Sequence, residues 1–135
     1  MNKKQLFKNL NKLCYDLDCL YNINCGGCCF VAAILAEQFE NYNIPFTVIK
    51  YDICGLHYAI RVQDRIINRC DFSYKEIVFD KILNSDKLYS HYYSKNYWNS
   101  LYNRKWNLIV KTKIKSLFKK YENRRKRLCN GRCIS

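Results

Sequence analysis

The chain has 135 residues, enough to bury one hydrophobic core, and its 49% apolar and 16% aromatic content excludes it from the disordered class despite a formal charge of +13. No run of about 18 apolar residues is present, which argues against a helical membrane span, and the lysine-led N-terminus leads into the amphipathic QLFKNLNKLCYDL where a secretory signal would carry a continuous apolar stretch. Nine cysteines, an odd number without an export signal, predict free thiols in a reducing, cytoplasmic setting.

Residues 4–20 place Leu6, Leu10, Leu13 and Leu17 at helical intervals and predict a first amphipathic helix, which YNINCGG then ends. From Cys28, the positions Val31, Ala32, Leu35 and Phe39 form one apolar stripe, with Glu37, Gln38 and Glu40 turned away, and NYNIP closes this central helix before Pro45. FTVIKYD, LHYAIRV and RIINRCDF follow as three strands of an antiparallel meander, with Gln63 and Asp64 as the tight turn between the last two. After Asp71 the sequence predicts YKEIVFDKIL as one helix and residues 97–127 as one or two more. There is no Gly, Pro or Ser linker and no repeat, so residues 1–135 are read as one α+β domain, a core over 1–72 and a helical, basic C-terminal extension over 73–135.

The chemistry concentrates where the glycine pair meets the central helix. A thiol in the first turn lies at the positive end of the helix dipole, among backbone N–H groups that lack helical partners. This favours the thiolate and draws a cysteine pKa down from ~8.5. Gly26 and Gly27 are expected to let a substrate carbonyl approach the backbone N–H groups. A thiolate needs a proton shuttle, and of the two histidines His57, at the start of a strand, is the candidate; His91, in YSHYYSKNYW, is not. A two-residue turn at Gln63 and Asp64 sets His57 opposite Cys70 and brings Asp71 within reach as the orienting acid. Asn68 is a second orienter, nearer Ala59 in register.

The order of a cysteine at a helix start, Ile-Pro after the helix, a histidine opening a strand and an aspartate one hairpin later is similar to the transglutaminase-like branch of the papain-like cysteine enzymes, over about residues 22–72. Gly26, Cys28, Ala32, Ile44 and Pro45 stand in that family's order of Gly-x-Cys, an Ala four residues on, and Ile-Pro. CGGC also resembles the Cys-Gly-Ser-Cys around the papain-type nucleophile, which again selects Cys28, whereas GGCC resembles the Gly-Gly-x-Cys of arylamine acetyltransferases and selects Cys29. The resemblance implies a papain-like or transglutaminase-like core, a central helix on a small antiparallel sheet, with a Cys28-His57-Asp71 triad. It also implies acyl transfer or amide and peptide hydrolysis without a cofactor, on a peptide, protein or other acyl substrate. Asn22 holds the place of the papain-type upstream oxyanion donor, with Asn24 another candidate, and Ala59 replaces the aromatic residue that commonly follows the family's histidine.

A different class competes with this reading. Cys25 and Cys28 have the spacing of a zinc knuckle, and Cys129 and Cys133 could complete it. Between Arg104 and Arg127 eleven Lys and Arg face one acid, Glu122, so that Lys119–Arg127 predicts non-specific contact with polyanions or nucleic acid. A basic binding module, zinc-stapled or built on an inactive papain-like fold, is therefore the alternative. The aromatic residues between Tyr89 and Trp106 are read as core, and Cys14, Cys19, Cys54 and Cys70 as inert thiols.

Overall fold

The structure, a computed structural model, describes residues 1–24, 27–52, 56–69, 76–77, 83–93 and 101–134; for 52, 56, 76–77, 93, 101–105 and 123–134 the description is of the backbone alone. Helix α1 (Lys3–Tyr21) starts in a capping box. The Asn2 side chain accepts from the Gln5 N–H at 2.8 Å, and the Gln5 side chain accepts from the Asn2 N–H at 3.0 Å. Its stripe of Leu6, Phe7, Leu10, Cys14 and Leu17 is buried, and Asn22, left-handed at φ 53°, ends it.

Helix α2 (Cys28–Asn41) is buried on nearly every side, from Cys28 through Ala36 without interruption, which is the signature of a helix surrounded by protein. The expected single stripe is thus too narrow: Gln38 is buried, and so is the side carrying Cys29, because a further helix covers it. Asn43 at φ 54° turns the chain after α2, and the Ile44 N–H donates back to the Phe39 carbonyl at 2.9 Å.

Strands β1 (Thr47–Asp52), β2 (Leu56–Val62), β3 (Arg65–Ile67) and β4 (Glu76–Ile77) form an antiparallel sheet in the order β3-β2-β1-β4. Val62 pairs with Arg65, so Gln63 and Asp64 are the two-residue turn, with Gln63 at φ 54° as a tight hairpin requires. The helix expected over YKEIVFDKIL is corrected at its centre: Glu76 and Ile77 pair with Tyr51 and Lys50 on the free edge of β1. Edge pairing satisfies backbone groups that a local helical preference cannot reach, and tertiary context overrides the weak propensity. The rest of that segment, residues 74–75 and 78–82, lies outside the described residues.

Asn84 caps α3 (Ser85–Tyr93), its side chain accepting from the Lys87 N–H at 2.9 Å. The basic C-terminal stretch is one helix, α4 (Leu101–Ile134). Its positions Trp106, Val110, Ile114, Phe118 and Tyr121 recur every three or four residues and join the same core as α1, α2 and the β2 residues Tyr58, Ile60 and Val62. Residues expected as an appendage therefore contribute to the central core. Trp106 packs at the start of α2 and Phe118 against Phe39 near its end, so α4 runs alongside α2 in the same direction. No described helix is long and apolar enough to cross a membrane.

Candidate active site

The start of α2 has Gly27 as its N-cap and no side-chain cap, which leaves backbone N–H donors of the first turn aimed at the loop ahead of Cys28. Cys28 and Cys29 are both buried, at 5% and 6% exposure. Cys29 donates from Sγ to the Leu88 carbonyl at 3.3 Å, so the second cysteine fastens α2 to α3. Glu37 and Glu40 lie on the same flank, accepting from the Tyr89 and Ser85 hydroxyls. The space beside Gly27 is filled as well: a Cβ there would stand 2.4 Å from Trp106 and 2.6 Å from the Ile23 carbonyl. Glycine at 27 is thus required by the close approach of an indole ring and a backbone carbonyl, where the sequence suggested an approach for substrate.

Strand β2 decides which side chain meets the thiols. Alternate residues of a strand point to opposite faces, and Tyr58, Ile60 and Val62 belong to the core around α2. Tyr58 is the neighbour of the cysteines: burial first, then Cys29, then Cys28, push its phenol up to about 12. The His91 ring lies 5.8 Å from the Tyr58 ring. His57 is turned to the other face, where it pairs across the strands with Tyr51 at 6.2 Å between ring centroids, beside a second cluster of Ile49, Tyr51 and Ala59.

His57 is nevertheless tightly positioned. It is buried, and its Nε2 lies 2.8 Å from the Asn68 carbonyl oxygen. A carbonyl only accepts, so Nε2 carries the proton and Nδ1 is left as the basic nitrogen. Burial draws the imidazole below its ordinary 6.5, with the Asn68 bond and then the Asp18 charge opposing that shift, and the ring is held neutral near pH 7.

Asn68 is itself locked. It is left-handed at φ 62°, its N–H donates to the Asn11 side chain at 2.9 Å, and its amide exchanges two hydrogen bonds with the Asn24 amide, at 3.0 and 2.9 Å. Asn24 lies in the loop that leads to Cys28, and its N–H donates to the Asp18 carboxylate at 2.9 Å. The structure thus brings Asn24, Asn68 and His57 into one network, with Asn68 contributing its main-chain carbonyl to the ring. Asn22 serves as the α1 C-cap, its N–H bonded to the Asp18 carbonyl. Asp71, the expected orienting acid, lies outside the described residues, as do Cys25, Gly26, Cys54 and Cys70.

Sequence reasoning missed Asn11, Asp18 and Tyr58, and read Trp106 as core without placing it against Gly27. Tyr58 had a signal: the apolar alternation of Tyr58, Ile60 and Val62 already assigns the helix-facing side of β2, which excludes His57 from it. Asn11 and Asp18 carried none, since polar residues on an amphipathic helix do not declare their partners. Among the described residues no group of three or more His, Cys, Asp or Glu is placed to hold a metal ion; Cys25 and the side chains of Cys129 and Cys133 lie outside them. Cys14 is an inert thiol, since burial and then the Asp18 charge push it up to about 12. No protein-family model, curated protein or solved structure matches the chain.

Proposed function

We propose that this protein is a thiol-dependent enzyme for acyl transfer or amide and peptide hydrolysis, built on a papain-like or transglutaminase-like core. In this reading Cys28 is the nucleophile and His57 the proton shuttle acting through Nδ1, and because β2 turns His57 to the face away from α2, the proton passes between them through water. Asn68 positions the ring through its main-chain carbonyl, and Asp71 is the orienting acid of the triad. The Cys28 sulfur attacks an acyl carbon and forms a thioester, and the proton taken by the imidazole is delivered to the leaving amine or alcohol. Water or an acceptor amine then releases the acyl group, returning sulfur and imidazole to their starting states.

One observation carries this reading. The reciprocal Asn24–Asn68 pair ties the loop entering the nucleophile helix to the residue whose carbonyl fixes the tautomer of His57. The test is the acylation burst with a nitrophenyl ester, together with iodoacetamide labelling at about pH 6, where ordinary thiols react slowly. Cys28→Ser is expected to abolish both, and His57→Ala to slow acylation at least about 100-fold while the fold persists. A burst that survives Cys28→Ser and vanishes with Cys29→Ser would move the nucleophile to Cys29.

A second reading has its own support. Tyr58 occupies the thiol-facing side of β2 and Trp106 fills the space at Gly27, an arrangement that suits an inactive papain-like fold working as a binding module. No burst in the wild type, and no effect of His57→Ala on labelling, would select it.

A further inference from the structure

Helices α1 and α4 lie side by side on the core, and between them runs a groove of about 320 Å³. Leu13 from α1 and Leu117 from α4, both partly buried against the core, give it an apolar floor. Lys12, Lys113 and Lys120 line it with exposed side chains, and Asp16 is the one acid to set against these three cations. The order along α4 is regular. Lys113, Leu117 and Lys120 fall at i, i+4 and i+7, one row on one helix face, with the two lysines about 10.5 Å apart along the axis. Across the groove Asn9, Leu13 and Asp16 repeat the same spacing on α1, so the two leucines are each flanked by polar groups one turn away on either side.

We propose that this groove is a docking surface for an acidic amphipathic helix of a partner protein, with an apolar side chain seated on Leu13 and Leu117 and carboxylates on either side of it paired with Lys12, Lys113 and Lys120. The lining itself selects the occupant. Two lysines about 10.5 Å apart along α4 are too far apart to share one phosphate or carboxylate, whereas acids at i and i+7 of a helix lying along α4 have that same separation. The residue between those acids, at i+3 or i+4, then meets Leu117, which is the anchor pattern of a helix seated in a groove. Charged residues flanking an apolar seam set partner choice between paired helices in the same way. A nucleic acid strand would meet the lysines but brings no aliphatic side chain to the leucines, and a flat bilayer does not reach side chains partly buried between two helices. The surface is built by α1 and α4 and is independent of the thiol chemistry proposed above.

The test is fluorescence anisotropy of the full chain with a labelled helical peptide of about 20 residues, one face of which repeats Glu, Leu and Glu at i, i+4 and i+7 on a background of alanine and glutamine. The wild type is expected to bind it, and a Kd weaker than about 1 mM overturns the proposal. The Lys12→Gln/Lys113→Gln/Lys120→Gln variant should bind at least about tenfold more weakly. Lys115→Gln/Lys119→Gln, on the same helix but outside the groove lining, should lose less than about twofold. Unchanged binding by the triple variant, or an equal loss in both variants, overturns the site. Replacing the leucines of the peptide by alanine keeps every charge and should weaken binding at least about tenfold, because the apolar seat is left unfilled. Unchanged binding of that peptide overturns the seat and leaves only diffuse attraction between charges. Single-stranded DNA, or anionic lipid vesicles, losing as much affinity as the peptide in the triple variant would overturn the acidic helix as the occupant. Circular dichroism guards against a lost fold, and the comparison of the two peptides on the wild-type chain decides the matter if the triple variant does not fold.

Discussion

The two faces of β2 are held by different forces. On one, Tyr58 is enclosed by apolar packing with α2 and α3, and burial beside two thiols keeps its phenol protonated to about 12. On the other, one residue away, His57 is held by a hydrogen bond to Asn68, itself fastened by Asn11 and Asn24. Apolar packing holds a side chain by fit and sets no protonation state, whereas a hydrogen-bonded ring has one tautomer and one free nitrogen. The packed face therefore supplies the stability that holds the thiols in place. The bonded face fixes the tautomer of His57.

The largest effect is expected where the packed side is cut. Phe118 is fully buried, 5.2 Å from Phe39 and 5.3 Å from Tyr42 between ring centroids, and Phe118→Ala should cost about 3–5 kcal/mol in denaturant unfolding. A cost under about 1 kcal/mol would mean that α4 is dispensable to the core after all. Next comes Gly27→Ala, where the new methyl meets both the Trp106 ring and the immovable Ile23 carbonyl; overpacking of this kind typically costs about 1–3 kcal/mol and should appear as a lowered melting temperature. If the melting temperature is unchanged, the fit between α4 and the α2 start is looser than the distances require.

Smaller effects sharpen the bonded side. Asn24→Ala leaves the buried Asn68 amide without its partner and should cost about 1–2 kcal/mol. Asn68→Gly keeps the left-handed backbone, so a double-mutant cycle with Asn24→Ala isolates the amide pair, and a coupling of at least about 0.5 kcal/mol is expected. Strict additivity would dissolve the link between the loop and the histidine.

The smallest effect is a pH slope. The folded-state pKa of His57 lies below 6.5, so as pH falls through about 6.5 the unfolded chain binds a proton before the folded one does. Stability should fall across that window and level off below the folded value. His57→Gln should remove this part of the dependence, while a wild type that gains stability as the pH drops below 6.5 would contradict a buried neutral ring.

Much of the molecule was legible because local rules and burial agreed. The leucine spacing of α1, the end of α2 before Pro45 and the turn at Gln63 and Asp64 follow from periodicity and turn chemistry, and the structure has them, as it has the meander except that its third strand, expected over 65–72, stops at Ile67 where Asn68 turns left-handed. The candidate site was legible only in part: Cys28 does open a central helix and His57 does lie near the start of a strand, positions set by chain order alone.

What the sequence by itself determined is α1, α2, the hairpin strands and a helix in the basic C-terminal stretch, their order, and the cluster of reactive residue types around 22–72. Only the tertiary structure decided that Glu76 and Ile77 extend the sheet, that Cys29 and Gln38 are buried, and that Asn68 offers a main-chain carbonyl rather than its side chain to His57. The reason is physical. Periodicity reports which face of an element is apolar, but it does not say how many neighbours an element has. Nor does it say which distant backbone group will satisfy a buried nitrogen. Those are properties of the assembled core, in which α4, more than 60 residues from the cysteines in sequence, closes over the start of the helix that carries them.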